Sequence, residues 1–507
     1  MQDRILKILT LIISVSMLVN MSVPAYAENS YGAEGTFQEE LLQDETVISL
    51  DEEGENIGNE DQPTDEISET EDQSMADEQE TYISTEEGQG GSETASEDIQ
   101  DKNVGMTESI VEQENANSED MDDTDVLENE TETSDKKAAP EQEIAENGVY
   151  YVDAINGEDS NNGLSAETAW KSLSNVNSIT FQPGDQVLLK RGCVWNGGLT
   201  LHGSGNSTYP IYLGAYGEGD NPTIIGGEAD YKVVSLINES YWEISDLKIT
   251  SSVKHNNDRR TGIWVENKDH GTIEHIYITN CEVYDIPSKD TNSDVECLFG
   301  GISITGYGSG SKYNDVRIEN NYVHDLCKGG ITTYTYNEDR NIWDASFGYS
   351  TNVYIANNTV RNVKGDGIVA KNVDGAIIEY NVCDGAANGG AGSNDTYGCY
   401  AGIWGAFCKN TVFRYNEVYN THRFLPGNND GMAFDTDINC ENVTFEYNYS
   451  HDNEGGFYLD MGDAKNSVVR YNISQNDKSR LFMFSSDRNL HLQVYNNVFY
   501  IGEGLNT

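Results

Sequence analysis

One phrase recurs through the second half of the chain: a short apolar strand, an Asn, then another apolar residue. It reads ITNCEV (278–283), IENNYV (318–323), IANNTV (355–360), IEYNVC (378–383), FRYNEV (413–418), FEYNYS (445–450), VRYNIS (469–474) and VYNNVF (494–499). Marked at its fourth residue, the phrase falls at 281, 321, 358, 381, 416, 448, 472 and 497. The shortest spacings are 23, 24 and 25 residues; the longer ones, 32 to 40, read as the same unit with a loop inserted. A period in this range points to a solenoid, in which each unit buries its apolar face only against its neighbours.

A second phrase starts at a Gly in each unit. It reads TGIWVEN (261–267), GGISITG (300–306), GGITTYT (329–335), DGIVAKN (366–372), AGIWGAF (401–407), DGMAFDT (430–436) and GGFYLDM (455–461). In RLFMFSS (480–486), Leu481 takes the Gly position. One strand of each kind per unit, with Asn at a tight bend, predicts an all-β chain: a single-stranded right-handed parallel β-helix over 229–507. Each coil is a rung, rungs stack into parallel sheets, and Asn side chains pair with neighbouring backbone. The Leu spacing of a leucine-rich horseshoe is missing, and the units are too short for propeller blades. Residues 148–228 read as an N-terminal cap and first coils. There YYVDA (150–154) alternates as a strand, and 166–177 predicts an amphipathic capping helix with Trp170, Leu173 and Val176 on one face.

The segments before 148 have a different character. Arg4 and Lys7, the apolar run 8–19 and Ala25-Tyr26-Ala27 predict a secretory signal over 1–27, too short to span a bilayer. Residues 28–147 hold 41 Asp and Glu against Lys102, Lys136 and Lys137, a net of −38 out of −57 for the whole chain. So acidic a segment, with few aromatics, is expected to be disordered, either as a spacer from the cell envelope or as a plain solvated leader. The expectation is a secreted or cell-surface protein with no membrane span in the mature chain. The acidity excludes nucleic acid as a partner, because binding phosphate needs clustered Lys and Arg. The eight Cys match no zinc spacing; buried thiols or one or two bridges are expected, Cys383–Cys399 first.

From residue 148 onward the chain resembles secreted bacterial carbohydrate-active proteins of the pectin-lyase-like, right-handed β-helix superfamily. The resemblance rests on YYVDAINGEDSNNGLSAETAWKSL, FQPGDQVLLKRG and PIYLGAYGEGDNPTIIGG, together with the Asn-bearing rungs. It implies a glycan or polysaccharide partner, cleaved by hydrolysis or elimination or simply bound. A monomer is expected.

Strand alternation turns the Gly-bearing phrases into a map of candidate chemistry. Aligned on the Gly, Trp264, Trp404 and Tyr458 point outward, as do Tyr334, Lys371, Asp435 and Asp460. Asp366 and Asp430 precede the Gly. One outer face is thus expected to gather Asp366, Lys371, Asp430, Asp435 and Asp460 within four rungs. Glycoside hydrolysis needs two carboxylates, and clustering raises the pKa of one of them so that it can act as general acid. Asp435 and Asp460, in adjacent rungs about 5 Å apart, are the expected pair, with Asp430 or Asp366 assisting. Inserted loops bring Tyr336, Trp343, Tyr349, Tyr397 and Tyr400 towards that face, with His422 and Arg423 just before Asp430; flat rings suit sugar faces. His451 and Asp452 sit at a bend, where a structural role is expected.

Three readings compete. A glycosidase that needs no cofactor is favoured; it resembles β-helix hydrolases of fucosides or xylans, and the absence of polygalacturonase motifs argues against pectin hydrolysis. A lyase would use Lys371 as base and Ca²⁺ on Asp366, Asp430 and Asp435 to neutralise a uronate. A non-catalytic glycan-binding adhesin would use the same groove without turnover.

Overall fold

The computed structural model describes residues 147–289, 298–308, 310–336, 348–389, 400–423, 431–485 and 491–505. The expected signal and acidic segment, with Asp430, Trp343, Tyr397 and Cys399, lie outside them.

Among the described residues every strand pairing is parallel, and three ladders run from the first coils to the last. The first stacks Thr261–Lys268, Gly300–Tyr307, Gly329–Tyr336, Ile368–Asp374, Ile403–Lys409, Met432–Thr436, Gly456–Asp460 and Phe482–Phe484. The second runs from Val149–Val152 through Thr272–Thr279 to Gln493–Tyr495 and joins the first where Ser350 faces Val373. The third, of 11 strands, runs from Val194–Asn196 to Val498–Tyr500. Inward side chains from all three form one continuous apolar core from Val152 to Val469. Among the described residues no helix is long and apolar enough to cross a membrane.

The Asn phrase holds the rungs together. The backbone N–H of Asn321 donates to Asn358 Oδ1 at 3.0 Å, that of Asn358 to Asn381 at 3.0 Å, and so on through Asn416, Asn448, Asn472 and Asn497. Each Nδ2 also donates to a carbonyl one rung back, as from Asn416 to Ile378 O at 2.9 Å. The residue before each ladder Asn takes a positive φ, near 55° at Tyr415 and Asn496. Asn416→Ala would strip the acceptor from the buried Asn381 N–H and the donor from Ile378 O. A loss of about 3 kcal/mol is expected in urea unfolding; a loss under about 1 kcal/mol would contradict this role.

The Gly position has a steric cause. A Cβ at Gly262, Gly301, Gly330, Gly367 or Gly402 would overlap the inward side chain of the third sheet, namely Val283, Val323, Val360, Cys383 or Val418. In the next two rungs that partner shrinks: Val418 is followed by Ser450 and then Ser474. The register then places Ala433 opposite Gly402, since Ile403 faces Phe434, and Phe457 opposite Ala433, since Phe434 faces Tyr458. Gly431 and Gly456 are therefore not counterparts of the earlier glycines.

This corrects the map in one rung. Relative to the Gly alignment, strand Gly456–Asp460 is slipped by one residue, which turns every side chain to the other face. Tyr458 and Asp460 point inward, in the columns of Phe434 and Thr436. Strand Met432–Thr436 is displaced by two, so Asp435 stays outward but follows Trp404 in its column.

The capping helix is also corrected. The region holds a 3₁₀ turn at Ala166–Thr168 and a five-residue helix at Ser174–Ser178. Between them Trp170 pairs with Val152 as an extended bridge, its N–H donating to Tyr151 O at 2.9 Å. Asp159 Oδ1 takes the N–H groups of Lys171 and Ser172. These bonds displace the helical ones, yet Trp170, Leu173 and Val176 still enter the core. Cys193, Cys281, Cys383, Cys408 and Cys440 are free thiols.

Candidate active site

The outer face of the first sheet carries two columns of outward residues. One runs Trp264, Ser303, Thr332, Val369, Trp404, Asp435, Leu459. The other runs Glu266, Thr305, Tyr334, then Lys371 and Ala406. Continued by the Asp437 N–H bonded to Gly405 O at 2.8 Å, it reaches Asp437. Carried one residue past the strand end at Thr436, the alternation puts Asp435 and Asp437 on one face, about 7 Å apart between Cβ atoms at ideal strand spacing. Asp435 is buried and Asp437 is half-buried, its Oδ1 accepting from the Ile438 N–H at 2.7 Å.

Asp366 sits at the head of the same face. Its Oδ1 accepts from Trp404 Nε1 at 2.8 Å and from the Ala401 N–H at 3.0 Å. Burial pushes its pKa up to about 6, against those hydrogen bonds and the charges of Lys371 and Lys328. The indole it holds is also covered by Lys371, whose Nζ lies 4.7 Å from the ring centroids of both Trp404 and Tyr334. Lys328 is fully buried and donates to the hydroxyl of Tyr400. A buried lysine is costly unless held this way.

Four expected residues therefore come together: Asp366, Lys371, Trp404 and Asp435. Two do not. Tyr458 is inside the solenoid, edge-on to Phe445, with its hydroxyl 2.5 Å from Thr436 Oγ1. Asp460 is fully buried there; one oxygen accepts from the Gly462 N–H at 3.0 Å, and the other has no hydrogen-bond partner among the described residues. Burial, helped by the nearby charge of Asp437, raises its pKa to about 6. An Asp435–Asp460 pair across the outer face is thus not formed.

The aromatic groups are packed rather than presented. Trp264 is covered by Phe299, stacked at 5.4 Å and 7°, and bonds Glu266 through Nε1. Tyr334 and Tyr400 are buried, and Tyr349 packs against the Trp404 cluster. His422 and Arg423 lie at the bend before the strand, where Glu454 is 3.6 Å from His422 Nδ1 and accepts from the Arg423 N–H at 3.0 Å. His451 is held by Glu417 and Asp452 and stacks on Tyr419 and Tyr449. Among the described residues no group of three or more His, Cys, Asp or Glu is placed to hold a metal ion. Two polar groups were missed from sequence: Asp437, which alternation from Asp435 was enough to find, and Lys328, whose burial has no sequence signal.

Residues 345–499 match the family model described as "Right handed beta helix region". The chain is a right-handed parallel β-helix. It is 30% identical over 440 residues to a lacto-N-biosidase of Bifidobacterium longum, covering 70% of this chain and 27% of that protein. The chain thus spans about a quarter of the length of that relative. Crystal structures of a GH136 lacto-N-biosidase from Eubacterium ramulus superpose on 70% of this chain and 68% of their own, with a TM-score of 0.59 and 26% identity for the selenomethionine derivative, 25% for the native protein.

Proposed function

We propose that this β-helix is an exported glycoside hydrolase of the lacto-N-biosidase kind. The observation that carries the reading is the Asp435–Asp437 pair on the outer face, beside Trp404 and Asp366. The similarity to lacto-N-biosidases supports that substrate class. Hydrolysis requires one carboxyl to protonate the leaving oxygen and another to attack the anomeric carbon or activate water. The segment DGMAFDTD (430–437) supplies three candidates, Asp430, Asp435 and Asp437. Asp366 acts at one remove, as a positioning residue that fixes the Trp404 indole.

Elimination is less well supported. A lyase base must present an amine to the substrate, whereas Lys371 Nζ is packed over two ring faces that suit a cation. The test is release of p-nitrophenol from a chromogenic lacto-N-bioside, run beside uronate polymers. Glycoside turnover without ultraviolet absorbance from the uronates is expected. Unsaturated products, or no turnover of the glycoside, would overturn the reading.

A further inference from the structure

A concave region whose lining includes none of Asp366, Trp404 and Asp435 is a groove of about 560 Å³ along the bends that lead out of the third sheet. Its lining comes from six successive rungs, beginning at Tyr322 and Asp325 and ending at Lys478. Five steps of about 4.8 Å make it about 24 Å long, parallel to the solenoid axis. We propose that this groove binds a neutral oligosaccharide as a distal subsite, separate from the catalytic face. The proposal rests on the reading of the protein as saccharide-active.

Three features select that ligand. First, each rung offers a polar group able to pair with hydroxyls. Asn362, Asn388 and Asn420 contribute amides, and His422 an imidazole. They are arranged in short networks: Asp384 accepts from Asn420 Nδ2 at 2.9 Å and lies 3.4 Å from Arg361 Nε. Carboxylates and amides that recur along the rungs, with one guanidinium at Arg361, fit a ligand that is itself periodic and rich in hydroxyls. Second, the charge is wrong for an anion. Asp325, Asp384, Asp452 and Glu454 outnumber Arg361 and Lys478, so a phosphate or uronate polymer would meet repulsion. Third, Tyr322 is the one aromatic ring of the lining, too little apolar wall for a hydrophobic ligand. The groove also connects to the catalytic strand. The His422 carbonyl and the Arg423 side chain pack against Gly431, directly before strand Met432–Thr436.

The experiment is isothermal titration of the full chain carrying Asp437→Asn. The ligands are di-, tetra- and hexasaccharides of galactose and N-acetylglucosamine, with a uronate hexamer as control. The tetrasaccharide is expected to bind about tenfold more tightly than the disaccharide. Arg361→Ala with Asn388→Ala should abolish that gain and leave turnover of the chromogenic disaccharide by the otherwise wild-type chain unchanged. Affinity independent of length, a gain that survives the groove substitutions, or tighter binding of the uronate would each overturn the proposal. Failure of turnover alone would count against the hydrolase reading and not against the groove, which is read by binding.

Discussion

Asp437→Asn and Asp435→Asn should each lower kcat/KM on a lacto-N-bioside by about 10³-fold or more, with little change in unfolding midpoint. Asn keeps the size of Asp and can accept the Ile438 N–H bond, but it neither carries a negative charge nor exchanges a proton. General acid or base catalysis contributes about 10² to 10⁴ in rate, and a missing nucleophile costs at least as much. Asp430→Asn belongs in the same series, because it precedes the same strand within DGMAFDTD. Turnover within about threefold of wild type in both Asp435→Asn and Asp437→Asn would remove the carboxylate pair from the chemistry. If only one is silent, the pair is completed by Asp430.

The second large effect concerns the corner that sets the register. Gly402→Val should cost about 4 kcal/mol or more in chemical denaturation. The added side chain would overlap Val418 and approach Ala433 O, which lies 2.7 Å from an ideal Cβ. Backbone oxygen cannot withdraw without breaking the rung. A cost under about 1 kcal/mol would mean that the corner is not what excludes a side chain there, and the account of the register would fail with it.

That corner also explains what could be read from sequence. The Asn phrase marked every rung correctly from 321 to 497, because a buried Asn that pairs with the next Asn must recur once per coil. The Gly phrase was reliable only while its partner was Val or Cys. Once the partner became Ser450 and Ser474, the corner accepted Ala433 and Phe457, and the nearest Gly in sequence no longer marked the same place. Knowing this requires the facing strand. Strand 456–460 was therefore misaligned by one residue, which sent Asp460 and Tyr458 to the wrong side. The grouping of Asp366, Lys371, Trp404 and Asp435 survived, because the pairing of the intervening strands kept their parity.

The aromatic residues failed as a platform for a different reason. Alternation gives direction, not exposure. Trp264 does point outward, but Phe299 lies across its face. Trp404 likewise points outward and spends its indole N–H on Asp366. The expected capping helix failed because the N–H of Trp170 is taken by Tyr151 of the first strand, a pairing that residue periodicity does not reveal.

The most direct measurement sets Asp437→Asn beside Asp460→Asn on the same chromogenic lacto-N-bioside. Asp437 faces outward and Asp460 lies inside the solenoid, so turnover should be lost in the first variant and kept within about threefold in the second. Loss of turnover in Asp460→Asn, with Asp437→Asn active and both folded, would contradict the placement of the site.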